Sequence, residues 1–102
     1  MKVIKMLCER IDEEIADAKF YAKKAVEYKT EYPELANALY TISTQEMEHM
    51  KMLHNCVQRI IERYRNEHGE PPSTMLAVYD YLHEQSIEKA ADAKRIMQMY
   101  SN

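Results

Sequence analysis

Apolar residues recur at helical spacing along almost the whole chain, in three segments. In the first, Ile4, Leu7, Ile11, Ile15, Ala18, Ala22, Ala25 and Val26 fall on one face, which predicts an amphipathic helix over about 3–29. Glu14 lies in the flank of that arc, between Leu7, Ala18 and Tyr21, whereas Glu13 points roughly the other way, toward water. The pattern breaks at 30–32, and Pro33 followed by Glu34 suits the first turn of a second helix. That helix is expected over 33–67. At about 100° per residue one of its stripes collects Leu35, Leu39, Ile42, Leu53, Val57, Ile60 and Tyr64. Glu46 falls at the centre of this stripe and His49 at its flank. So short a connection forces the first two helices antiparallel.

The run His68-Gly69-Glu70-Pro71-Pro72-Ser73 is the clearest punctuation. Gly ends a helix, two prolines stop it, and Ser73 suits an N-cap. A third helix is expected over 74–99, with Met75, Tyr79, Leu82, Ser86, Ala90, Ala93, Met97 and Tyr100 on its core face. His83 sits on that face and Asp80 at its edge, while Glu84 and Glu88 face outward. Residues 13–19 of the first helix and 88–94 of the third echo each other, a likeness that the shared Ala/Glu/Lys/Asp vocabulary of helices explains.

Composition agrees. One Gly, three Pro and no Trp in 102 residues, with abundant Ala, Glu, Lys and Met, favour helix. The expected architecture is all-α, a single domain over 1–102 of three long helices. It is small enough to gain from association into a homodimer or higher ring. The net charge of −3 comes from acids and bases mixed along the chain, with no basic run to suggest nucleic acid. The apolar runs are too short to span a membrane, and no apolar stretch near Met1 reads as a secretory signal. Cys8 and Cys56 form no C-x-x-C pair and read as small core residues, free buried thiols in a reducing compartment. The expected location is the cytoplasm.

The chemistry concentrates in Glu46-Met-Glu-His49. A carboxylate aimed into an apolar seam needs a partner. That partner is either a basic side chain from a neighbouring helix or a metal ion, since Glu-x-x-His on an inward helix face presents carboxylate and imidazole to one ion. Glu14 has the same two readings. Glu14 and Glu46 project from comparable heights on either side of the Pro33 turn, so Glu14, Glu46 and His49 can meet at one level. Carboxylate and imidazole suit iron, manganese or zinc. A two-fold dimer would double the set to four Glu and two His, the inventory of a di-iron site in a helical bundle.

The segments Glu13-Glu14-Ile15 with Phe20-Tyr21, Pro33-Glu34-Leu35, and Gln45-Glu46-Met47-Glu48-His49 resemble the ferritin-like superfamily, in particular encapsulated ferritins and the rubrerythrin group. The likeness covers about the first 65 residues. It implies a ferritin-like helical hairpin, with a four-helix bundle completed within the chain or by dimerisation. It further implies Glu14 and His49 as terminal ligands, Glu46 as the bridging one, and oxidation of ferrous iron by oxygen or peroxide at a di-iron centre. The chain departs from those families in having no second Glu-x-x-His and no rubredoxin-type cysteines, and nothing after the third helix resembles a shell-targeting peptide. The missing ligands would come from a second copy, or from Asp80 and His83 of the third helix.

Two other functions fit the pattern. Met47, Met50 and His54 share a stripe that copper(I) would accept, although Met at helical spacing also serves as core filler. A metal-free helical interaction or oligomerisation module would use the Met- and Tyr-rich faces, and eight Tyr against one Phe suit surfaces that are apolar with a wet tip.

Overall fold

The computed structural model describes residues 2–102. Among them are three helices and no strand: α1 (Lys2–Tyr28), α2 (Pro33–His68) and α3 (Ser73–Ser101). None is long and apolar enough to cross a membrane. α2 has 36 residues, about 54 Å at 1.5 Å per residue, and sets the long dimension of the molecule at 56 Å.

α1 is the central helix. It packs along its length against both α2 and α3, which barely touch each other. The α1–α2 hairpin is antiparallel, with Ala18 opposite Ser43 and Glu14 beside His49. Near the turn the seam is built from small residues. Ala18, Ala22 and Ala25 of α1 and Ala36 and Ser43 of α2 have no exposed surface, and the buried Ser43 hydroxyl donates to the Ala18 carbonyl at 2.7 Å. Toward the open end, Ile4, Leu7, Ile11 and Ile15 join Met47, Val57 and Ile61 in the main core; Cys8 packs half-buried against it, whereas Cys56, expected in the core, is exposed because it lies off the face of α2 that meets α1. Each fully buried branched side chain there contributes about 1.5–3 kcal/mol.

α3 runs parallel to α1 and is tied to it by polar contacts. Ser86 donates to Asp12 at 3.0 Å, Lys89 lies 3.5 Å from the same carboxylate, and Lys19 meets Asp92 at 2.6 Å. Lys19, with Arg95 beside it, holds the Asp92 carboxyl at about 2. At the turn end Tyr40 stacks on Tyr100 at 4.7 Å, and Lys29 donates to the Tyr100 carbonyl at 2.5 Å.

The breaks fall where the sequence places them. Pro33 opens α2, and Gly69 closes it at φ 79 with its N–H on the Arg65 carbonyl, a positive-φ conformation that Gly adopts without a Cβ penalty. Ser73 is not the N-cap expected of it. Pro72 takes that position, and its carbonyl accepts the N–H groups of Met75 and Leu76, so Ser73 is already helical.

The larger correction concerns α2. Its inward face is Ala36, Ser43, Met47, Val57 and Ile61; of the expected stripe Val57 is on that face and Leu53 and Ile60 pack partly against the core, but Leu35, Leu39, Ile42 and Leu53 are not among its buried residues. Leu35 is 46% exposed and the other three are half-buried. α2 therefore carries two overlapping apolar arcs. The arc with small residues faces α1, because Ala36 and Ser43 let the backbones approach. The arc with larger residues is turned to the side, so Glu46 lies at the edge of the α1–α2 seam rather than at its centre.

Candidate metal centre

That edge position decides the site. Glu14 leaves α1 on the flank facing α2 and is buried, while Glu13, one residue away, is exposed. Glu46 and His49, one helical turn apart on α2, approach it from the other side. His49 Nδ1 stands 3.6 Å from Glu14 Oε2 and 4.0 Å from Glu46 Oε2, and the three donors all lie within 4.8 Å of one another. Among the described residues they form the one group of three or more His, Cys, Asp or Glu donors so placed. The Glu14 side chain is 11% exposed, Glu46 19% and His49 56%, so the cluster is floored by protein and open on the imidazole side.

Glu14 is incompletely satisfied. Its Oε1 takes a 3.3 Å contact from Arg10, one turn earlier on α1, which also binds Glu13. Its Oε2 is buried without a hydrogen-bond partner. Two carboxylates so close cannot both ionise freely. A hydrogen bond to Glu14 raises the Glu46 carboxyl to about 7, helped by burial and by the Glu14 charge. The same bond, against the cost of burial and with His49 and Arg10 nearby, lowers Glu14. In the metal-free protein the two carboxyl groups thus compete for one proton, which rests on Glu46.

The donors also suit a cation. Ligands bound to one ion at about 2.0–2.2 Å lie roughly 3–3.5 Å apart, so small side-chain rotations would close this triad. Two carboxylates and an imidazole select iron, manganese or zinc over soft ions. The orphaned oxygen is where a positive charge is worth most.

No family model, curated protein or solved structure matches the chain.

The structure brings together three of the five residues singled out above: Glu14, Glu46 and His49. Asp80 and His83 are not part of this group. Asp80 is exposed, and His83 stacks on His54 and Tyr79 on the α3 side of α2. Arg10 was missed, although its position four residues before Glu14 is the spacing at which helical side chains meet. Ser43, the polar anchor of the hairpin, carried no sequence signal beyond being a small residue near Glu46.

Proposed function

We propose that this chain binds iron through Glu14, Glu46 and His49 and is a ferritin-like protein with ferroxidase-type chemistry. The observation that carries the reading is the buried Glu14 Oε2, without a hydrogen-bond partner, facing a second carboxylate and an imidazole across a gap of ion size. Iron bound there would supply oxidation of ferrous ions by oxygen or peroxide. The chain's own contribution is to converge the donors, keep one side of them dry, and, below about pH 7, hold a proton on Glu46 when no cation is present. Arg10 neutralises part of the Glu14 charge in that state. Manganese and zinc fit the same donors.

One chain offers three ligands, and a di-iron centre takes about twice as many. The outward arc of α2, with Leu35 exposed and Leu39, Ile42 and Leu53 around the Glu46/His49 edge, supports a symmetric dimer through this face. It would complete a four-helix bundle of two hairpins and double the set to four Glu and two His. The same arc also favours a second reading, a metal-free oligomerisation module. Metal content and solution mass of protein purified from iron-supplemented cells separate the two. About two irons per dimer, lost in Glu46→Ala with the helices retained, is the expected result. Metal-free wild-type protein, or iron bound equally by Glu46→Ala, would refute the iron reading.

A further inference from the structure

A second groove, separate from the Glu14 group, opens between α2 and α3 over Cys8 and Ile11 of α1, with a volume of about 470 Å³. Two histidines meet across it. The His54 and His83 rings lie 4.7 Å apart and 11° from parallel, and Tyr79 continues the stack 5.8 Å from His83. Both histidines are half-buried, and they join two helices that otherwise scarcely touch.

We propose that His54 and His83 form a second metal site, selective for copper(I), with the Met50 thioether as a third donor. As stacked, the two rings turn their faces to each other; rotation about the broad χ2 torsion of each imidazole, opening the stack, is the movement that would bring one nitrogen of each to a common ion. The donors present select the ion. The groove lining holds two imidazoles and a thioether, with Asn55, Tyr79 and Ser86 as neutral oxygen donors and no carboxylate, and imidazole with thioether suits copper(I) where charged oxygen ligands would suit magnesium, calcium or manganese. Lys94 in the lining repels a divalent ion more than a monovalent one, whereas the charge of Lys51 is paired with Glu48 at 3.3 Å. Gln58 supplies support from outside the ligands, its amide nitrogen 3.2 Å from His54 Nε2. Turned over, that amide accepts from an Nε2–H and leaves Nδ1 bare for metal. Burial and the neighbouring His83 also hold His54 below its ordinary range, which keeps the ring neutral. The soft-donor stripe of α2 is thereby revised. Met47 is buried in the core, and His83 of α3 takes its place beside Met50 and His54.

The test is anaerobic titration of the full chain with copper(I) against bicinchoninate as competing chelator, with helicity monitored. Wild-type protein should take up about one copper(I) per chain. His54→Phe and His83→Phe, which keep a ring in the stack, should each weaken binding by more than about tenfold, the loss typical of even an outer-shell change. Met50→Leu should weaken it less, and Glu46→Ala should leave it unchanged. No uptake by wild-type protein overturns the proposal. So does equal uptake by both Phe variants, or a loss confined to Glu46→Ala.

Discussion

Replacing Glu46 by glutamine isolates the electrostatics of the candidate centre. Glu46 is raised to about 7 from an ordinary 4.5, so the folded protein holds a proton that the unfolded chain releases. This stabilisation is fully present below the unfolded value and is lost as pH rises through about 7. At 1.36 kcal/mol per tenfold change in proton affinity, the ceiling is roughly 3 kcal/mol. Coupling to Glu14 and water reaching a 19% exposed side chain reduce the expected effect to about 1–2 kcal/mol. The side-chain amide of the Glu46→Gln variant keeps a donor for Glu14 without a titrating proton. Urea unfolding with a chelator present, at pH values from about 5 to 8, should show wild-type stability falling across that range. The fall should be smaller in Glu46→Gln, which should be the more stable protein at the alkaline end. Identical slopes for the two proteins would show that the carboxylates do not share a proton.

Three other outcomes follow from named contacts. Ser43→Leu should destabilise the hairpin by about 2–3 kcal/mol, through overpacking of the small-residue seam and loss of the bond to Ala18; thermal unfolding reads it, and a neutral result would mean the helices are less tightly apposed. Glu14→Ala should abolish iron-dependent oxygen consumption while Glu13→Ala preserves it, because only Glu14 faces Glu46 and His49; the reverse pattern would place the wrong face of α1 at the site. Leu35→Glu should shift sedimentation toward the monomer by charging the outward arc, and an unchanged mass would exclude that face as the interface.

The helices and their breaks were legible because their signals are local. Pro33, Gly69 and the Pro71-Pro72 pair act on their own backbone, and the alanine-rich arc of α1 shows one unambiguous inward face. Glu14 was distinguishable from Glu13 for the same reason. α2 was harder. Its two apolar arcs overlap, and sequence periodicity favours the one with larger residues, whereas the seam with α1 is formed by Ala36 and Ser43, which permit close approach. The triad of Glu14, Glu46 and His49 still converges, since an edge position on α2 reaches the flank of α1. Asp80 and His83 depend on how α3 is turned about α1, which Asp12, Ser86, Lys19 and Asp92 help to set. None of those pairings can be read from one helix alone, and neither can the meeting of His54 with His83.

The most direct measurement is X-ray diffraction at the iron absorption edge from crystals grown with ferrous iron. Anomalous density within bonding distance of Glu14, Glu46 and His49, with the Glu14 Oε2 now ligated, is the expected result. Density elsewhere, or none, with Arg10 still on Glu14 and the imidazole of His49 turned to solvent, would contradict it.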